Sequence, residues 1–298
     1  SLRKMSGFEK FEDESDAENR GDNTTSLFKD PKGTVSNNAE FRNEMLDSNF
    51  RKEPFQTWFK MLFPHFDLFS MTTAYALLLI IFYAIELFIY INNSWSCVTY
   101  SFGSNYTPAI QRGHLQRLVF PAFLHNDLPH LLWNIFVLFA FGMNAEYYLG
   151  TIGYGSLIAS AILLGNSFTS GFRNYICSDS VGGSTVIMGI IAFEFVWFLF
   201  NFNKMGMSKW LYSLYFGTIF ATTVMGTWAA GHIVDFWGHL GGLIAGICIT
   251  LFFYKEILKF GVMDKAKFIF PVIIIILLVI AIITTFRRNT HLCYANLC

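Results

Sequence analysis

Charged residues are scarce in this sequence. Lys, Arg, Asp and Glu make up 14% of its 298 residues, whereas about a quarter of the residues are charged in a soluble globular domain. The formal net charge is zero and no basic face is present, which excludes a nucleic-acid-binding protein. Hydrophobic residues make up 53% of the chain and the mean hydropathy is +0.42. A single soluble globule is therefore excluded as well.

The few charges are unevenly distributed. Residues 1–53 contain 12 acidic and 9 basic side chains, half of all those in the chain. This segment has few large apolar residues and no helical periodicity, so it cannot bury enough surface to offset the entropy of ordering it. We expect residues 1–60 to form a disordered tail, residues 61–258 a membrane-embedded core, and residues 259–298 a C-terminal helix and short tail.

Long apolar runs follow the tail, each long enough to cross the hydrocarbon core of a bilayer. They predict seven membrane-spanning helices, near residues 72–91, 119–142, 150–168, 183–201, 210–229, 236–254 and 268–286. The last of these is almost purely Ile, Leu and Val. The chain is thus predicted to be an all-α, multi-pass integral membrane protein.

Lys and Arg near the span ends indicate the orientation, because cytoplasmic loops are enriched in both. With a cytosolic N-terminus, nine lie on the inner side: Arg51, Lys52, Lys60, Lys204, Lys209, Lys255, Lys259, Lys265 and Lys267. Five lie on the outer side: Arg112, Arg117, Arg173, Arg287 and Arg288. The N-terminus is therefore predicted to be cytosolic.

This orientation places four of the five cysteines, Cys97, Cys177, Cys293 and Cys298, on the outer side. Disulfides form in such oxidising compartments. Three pairings are possible, and free thiols are the alternative.

Strongly polar side chains inside a bilayer are costly unless they have partners or a function. The second predicted span opens with His125, Asp127 and His130 and continues to Asn134, with Asp127 a candidate N-cap. The histidines are five residues apart, about 140° around a helix, so they do not form the i, i+4 pair of a helical zinc motif. No metal site is predicted. His130 and Asn134 present two hydrogen-bond donors on one face, with interhelical packing as the alternative.

A serine beside two glycines opens the fourth predicted span. Gly182 and Gly183 leave the backbone at Ser184 open, so that its N–H could face a reacting oxygen. Close helix packing is the alternative explanation for a small-residue cluster of this kind.

A histidine on a glycine face opens the sixth predicted span. Gly242 and Gly246 lie about 60° and 20° from His239 around a helix, and small residues of this spacing let another helix approach closely. The expected partner of His239 is a small nucleophile. Asp235, four residues earlier, could orient the imidazole, although a role as helix cap is the simpler interpretation.

Together these residues supply what nucleophilic acyl transfer requires. Ser184 is the candidate nucleophile and His239 the candidate general base, since a serine hydroxyl is inert at neutral pH until a base removes its proton. His130, Asn134 and the Ser184 backbone N–H are candidate donors for the oxyanion that forms.

Three separated segments carry a more specific pattern. The first is Arg117 followed by His125, His130 and Asn134, the second is Gly182–Gly183–Ser184, and the third is Gly238–His239–Leu240–Gly241–Gly242 with Gly246, preceded by Asp235. In this order they resemble the rhomboid family of intramembrane serine proteases over about residues 110–250 of this chain. Glu146 lies where the family has a glutamate after the second span.

The resemblance implies a six-helix catalytic bundle with one additional C-terminal span, as in eukaryotic secretory-pathway members. It also implies a Ser184–His239 dyad, an oxyanion site from Ser184, His130 and Asn134, and no cofactor. The implied substrates are single-span membrane proteins in the bilayer, cut near the outer face. The implied location is the secretory pathway or plasma membrane. Nothing in the sequence predicts the oligomeric state.

Three residues depart from the family pattern: Gln116 replaces a tryptophan, Thr185 a small residue after the nucleophile, and Met188 an aromatic near the catalytic histidine. Such departures are similar to those of some apicomplexan members. They keep open an alternative, a catalytically inactive homologue that binds or escorts membrane clients. A transporter using the intramembrane carboxylates Glu86 and Glu194 is a weaker alternative, because no inverted repeat is present.

Overall fold

The computed structural model describes residues 63, 65–175, 177–204, 208–229, 235–255, 261–290 and 293. The predicted tail at 1–60 and Cys298 lie outside the described residues, and the predicted domain boundaries remain predictions. Within the described residues the chain is helical, and extended pairing is limited to one bridge between Asn105 and Ser180. The predicted all-α fold of a multi-pass membrane protein is confirmed.

Ten α-helices are described. They are α1 (Met71–Tyr90), α2 (Trp95–Phe102), α3 (Thr107–Gln111), α4 (Leu128–Val137), α5 (Met143–Phe172), α6 (Ser184–Asn201), α7 (Ser208–Ala229), α8 (Phe236–Phe253), α9 (Gly261–Ala266) and α10 (Ile269–Arg287). A π-helical turn at Leu138–Gly142 joins α4 to α5.

Five helical stretches of the described chain are long and apolar enough to cross a membrane: Met71–Tyr90, Leu128–Phe172, Ser184–Asn201, Phe236–Phe253 and Asp264–Arg287. The second has 45 residues, which would extend over about 67 Å if straight, roughly twice the hydrocarbon thickness.

This long stretch is divided in two, as the two spans predicted there require, because the chain turns at Gly150. Gly150 has φ 69° and ψ 168°, a left-handed conformation that glycine adopts at low cost. The Tyr154 hydroxyl consequently lies 2.8 Å from the position of a Cβ on Gly142, although twelve residues of straight helix extend about 18 Å. With α7 included, each of the seven predicted spans corresponds to helical residues.

The predicted start of the second span at residue 119 is wrong. Two 3₁₀ turns, Leu115–Leu118 and Phe120–Phe123, precede α4, which begins only at Leu128. Asp127 caps this helix by accepting a hydrogen bond from the His130 N–H at 2.8 Å. Ala122 and Leu124 before it are fully buried in the protein, whereas Val119 and Phe120 are each 39% exposed, and together these apolar residues give the stretch the hydropathy of a span.

Glycines set the distance between α5, α6 and α8, the three helices at the centre of the bundle. A Cβ on Gly242 would lie 2.1 Å from the Thr185 carbonyl oxygen, and one on Gly246 would lie 2.2 Å from the Gly189 carbonyl oxygen. On another face of α8, a Cβ on Gly241 would lie 2.8 Å from the Gly165 Cα of α5. No larger residue fits these positions, so α8 lies with its backbone against both neighbours.

Candidate active site

Ser184 is the first residue of α6, and the chain enters it through two glycines. Gly182 has φ +143°, in the region that favours glycine, and its N–H donates to the Pro121 carbonyl at 2.8 Å. The segment before the nucleophile is thereby fixed to the 3₁₀ turn at Phe120–Phe123. As the first helical residue, Ser184 carries a backbone N–H that has no acceptor within its own helix.

The structure brings Ser184 and His239 together. The Ser184 Oγ lies 2.7 Å from the His239 Nε2, a full hydrogen bond. His239 is 7% exposed and lies in the first turn of α8, where its N–H donates to the Asp235 carbonyl at 3.1 Å. The glycine face predicted around His239 is the face that contacts α6, because Gly242 lies against Thr185.

Asp235 caps α8 and is bonded across the bundle. Its Oδ1 accepts from the Gly238 N–H at 3.0 Å, and its Oδ2 accepts from the hydroxyls of Thr169 and, at 3.2 Å, Ser180. These contacts match the helix-cap interpretation of Asp235. They join the start of α8 to the end of α5 and to the segment before Ser184.

His130 lies beside the nucleophile, on the far side of Gly182. A Cβ on Gly182 would be 2.9 Å from His130 Cε1, 3.4 Å from His130 Nε2 and 3.3 Å from Ser184 Oγ. The space left open by this glycine is therefore within about a hydrogen bond's length of both side chains. It has the dimensions required for an oxygen held between a nucleophile and a ring N–H.

Asn134 and His125 form the layer behind His130. The Asn134 Nδ2 lies 2.9 Å from the His125 Nε2, and the rings of His125 and His130 meet edge to face at 5.2 Å. The separation of about 140° expected for two such residues of one helix does not describe this pair, because His125 precedes α4 rather than belonging to it. The backbone N–H of His125 donates to the Glu86 carboxylate at 3.3 Å.

Two of the predicted supporting residues act elsewhere in the fold. The buried Arg117 donates to the carbonyls of Ser104 and Tyr100, both at 2.9 Å, and stacks 4.1 Å above the Tyr100 ring. Burial lowers the pKa of its guanidinium below the ordinary value. Arg117 thus holds the loop between α1 and α4.

Glu146 caps α1 from another helix. Its carboxylate accepts hydrogen bonds from the Met71 N–H at 2.8 Å, the Thr72 N–H at 2.9 Å and the Thr72 hydroxyl at 2.8 Å. A negative charge at a helix N-terminus is favourable because of the free N–H groups and the helix dipole.

The intramembrane carboxylates have local polar partners. Besides the contact of Glu86 with His125, Glu194 accepts from Asn144 at 2.6 Å and from the Tyr212 hydroxyl at 2.5 Å. Both residues are fully buried, and these partners give each a role within the bundle.

One residue near the nucleophile was not identified from the sequence. The buried Tyr75 of α1 donates its hydroxyl to the Ala122 carbonyl at 2.8 Å, and its oxygen lies 3.4 Å from the Cβ position of Gly183. Its sequence signal is weak: a tyrosine inside an apolar span, whose hydroxyl needs a partner when buried. Thr185, which departs from the family pattern, packs against Gly165. Its Cγ2 lies 2.8 Å from the position of a Cβ on that glycine.

Three of the four cysteines predicted to lie on the outer side fall within the described residues, and all three are disulfide-bonded. Cys177 and Cys293 form a disulfide across 116 residues of sequence, and Cys97 is also disulfide-bonded. This leaves Cys248, buried in α8, as the free thiol of the described chain.

The fold and this site define a multi-span helical membrane protein in which a half-buried serine meets a buried histidine, a pair of the kind that hydrolases use. Comparison with known proteins agrees: the Rhomboid domain matches residues 112–256. The chain is 30% identical over 204 residues to Rhomboid-like protease 1 of Toxoplasma gondii, covering 66% of this chain and 68% of the relative.

It is also 29% identical over 161 residues to Rhomboid-like protease 3 of Toxoplasma gondii, covering 52% of this chain and 58% of that relative. The chain belongs to the rhomboid family, as its sequence motifs predicted, and its relatives are apicomplexan proteins.

Proposed function

We propose that this protein is an intramembrane serine endopeptidase that cleaves single-span membrane proteins through a Ser184–His239 dyad. The observation that carries the proposal is the 2.7 Å contact between Ser184 Oγ and His239 Nε2 at the start of α6. The names of the relatives, which describe them as proteases, support the same reaction class.

In the proposed first step, the Ser184 oxygen attacks the substrate carbonyl carbon while its proton passes to His239 Nε2. The oxyanion is proposed to occupy the space beside Gly182, next to the His130 ring, with the Ser184 N–H, His130 and Asn134 as its proposed donors. His239 then gives the proton to the leaving amine as the peptide bond breaks. Water attacks the resulting ester with His239 again as base, which releases the acid and restores Ser184.

The proposed oxyanion donors make a kinetic prediction. Each donor to an oxyanion contributes about 2.7–4 kcal/mol to the transition state. We expect His130→Ala and Asn134→Ala to lower kcat, with KM largely unchanged. Equal losses in substrate binding would contradict the assignment.

The proposed location is the secretory pathway or plasma membrane, with a cytosolic N-terminus. The Cys177–Cys293 disulfide supports this orientation, because both cysteines lie on the predicted outer side, where disulfides persist. Ser184 begins α6 at the same end of the bundle, as cleavage near the outer face requires.

The test is labelling of the purified full chain in detergent with a fluorophosphonate probe, which reacts with activated serines. Wild type should be labelled, and both Ser184→Ala and His239→Ala should abolish labelling. Ser156→Ala is the matched control, because the Ser156 hydroxyl is exposed and bonds only its own helix, at the Ile152 carbonyl. Absence of labelling in a folded wild type would favour the inactive, client-binding alternative.

A further inference from the structure

The outer end of α10 is bonded to the first outer loop, which lies far from it in sequence. Gln111, the last residue of α3, donates from its Nε2 to the carbonyls of Thr285 at 2.7 Å and Arg288 at 2.8 Å. Thr290 donates to the Gln111 Oε1 at 2.5 Å. Thr285 lies in the last turn of α10, where its carbonyl also accepts from the Arg288 N–H at 3.3 Å, and Arg288 is the C-cap residue. Gln111 therefore adds a cap to α10 from outside the helix.

The same end of α10 is bonded to the end of α5. Arg288 donates to the Gly171 carbonyl at 2.9 Å, which places a cation at the negative end of the α5 dipole. The hydroxyls of Ser170 and Thr285 are 2.9 Å apart and buried. The two helices touch closely here, since a Cβ on Gly171 would lie 2.8 Å from the Ala281 carbonyl oxygen.

The chain beyond α10 is covalently joined to the segment that leads into the nucleophile. Cys293 is disulfide-bonded to Cys177, which precedes Ser184 in the connection between α5 and α6. The remaining length of that connection is held on the opposite side. Ser180 exchanges backbone hydrogen bonds with Asn105 at 2.9 and 3.0 Å.

Asp179 adds a further anchor to the first outer loop. Its carboxylate accepts from the Thr99 hydroxyl at 3.0 Å, and its carbonyl accepts from Arg173 at 2.9 Å. The segment at 173–183 is therefore fixed to the first outer loop at one edge and to the C-terminal segment at the other, immediately before Ser184.

We propose that the end of α10 and the segment after it form a clasp, comprising Gln111, Arg288 and the Cys177–Cys293 disulfide, that positions the connection carrying Gly182 and Ser184 for catalysis. The inference rests on the proposed function of Ser184. Without the clasp, the connection keeps its contacts with the first loop but loses its restraint at Cys177, so Ser184 spends less time within hydrogen-bond distance of His239. These are positioning residues, since none of them contacts Ser184 or His239.

The test compares wild type with a Cys177→Ser/Cys293→Ser double variant, measuring the second-order rate of fluorophosphonate labelling and the kcat and KM for a membrane substrate. Lys267→Ala is the matched control just before the opposite end of α10, where the Lys267 ammonium pairs with the exposed Asp264 and lies 5.5 Å from the centre of the Phe268 ring. We expect labelling and kcat to fall about ten-fold in the double variant, with KM unchanged, because small displacements of a nucleophile cost rate rather than binding. The control should match wild type.

Labelling of the double variant at the wild-type rate would overturn the inference, even if its melting temperature falls, because the disulfide would then be a structural staple. If the double variant does not fold, the labelling rate of Gln111→Ala tests the clasp instead, since this variant keeps the disulfide and removes the cap. Labelling of Gln111→Ala more slowly than wild type would support the clasp, and labelling at the wild-type rate would refute it. An unlabelled wild type would instead refute the proposed function, and this inference with it.

Discussion

Replacing Gly242 with alanine should separate the candidate nucleophile from its base without touching either. A Cβ at this position would lie 2.1 Å from the Thr185 carbonyl oxygen, whereas real Cβ atoms essentially never come closer than 3.0 Å to a non-bonded heavy atom. Helices α6 and α8 must therefore move apart by about 0.9 Å at this level, a degree of overpacking that costs roughly 1–3 kcal/mol of stability.

The displacement acts on the Ser184–His239 contact because Ser184 adjoins Thr185 and His239 lies one helical turn before Gly242. If the displacement is transmitted in full, the Oγ–Nε2 distance increases to about 3.6 Å, beyond the limit of a hydrogen bond. A misplacement of this size reduces turnover by about 10²-fold.

The assay is the rate of fluorophosphonate labelling, measured together with the melting temperature. Gly217→Ala is the matched control, since a Cβ there meets nothing within 4 Å, and it should label as wild type does. A Gly242→Ala protein that labels within about two-fold of wild type would refute the argument that backbone contact at this glycine sets the catalytic distance.

Three further predictions follow from individual contacts. Gly182→Ala should reduce kcat by about 10²-fold. The φ of Gly182 is +143°, and the new methyl would lie 2.9 Å from the His130 ring, in the proposed oxyanion space. An unchanged kcat would place the oxyanion elsewhere. Glu146→Ala should lower stability by about 1–2 kcal/mol, as loss of a helix cap does, with Glu146→Gln intermediate in a thermal melt; a melt unchanged in Glu146→Ala would show that this cap is dispensable. Burial lowers the pKa of His65 from 6.5 to about 4, so the unfolded chain binds more protons than the folded chain between these pH values. Stability should therefore fall as the pH drops from about 6.5 to about 4. In a series of thermal melts at different pH, His65→Phe should make that fall shallower, and an identical fall would assign the pH dependence to other groups.

Most of the fold could be predicted from hydropathy because a bilayer admits few solutions. Apolar runs of about twenty residues must form helices there, since no water is available to satisfy an exposed backbone. The ends of α1, α6, α8 and α10 therefore fall within a residue of the predicted positions.

Hydropathy did not predict where the second span begins. Residues such as Ala122 and Leu124 are apolar because protein covers them, and hydropathy does not distinguish burial in protein from burial in lipid. The signal for the true start of this helix was local, because Asp127 followed by Pro129 is typical of an N-cap and a first helical turn.

Some features of the candidate site could likewise be predicted from the sequence, and others could not. The residue types Ser184, His239, His130 and Asn134, and the glycine face around His239, are properties of the sequence. Their mutual distances are not, because each depends on helices that are far apart in the chain. Asp235 illustrates the difference: its spacing from His239 allowed two roles, and its bond to the Gly238 N–H matched the role as helix cap.

By itself, the sequence determined that this protein lies in a membrane, which of its apolar runs form long helices, and which side chains are costly enough there to require a partner or a function. Tertiary structure alone decided that Ser184 meets His239 at 2.7 Å, that Glu146 caps a different helix, and that Cys177 pairs with Cys293. The physical reason is range: hydropathy and helix periodicity act between near neighbours, whereas each of these contacts joins residues on segments that are far apart in the chain.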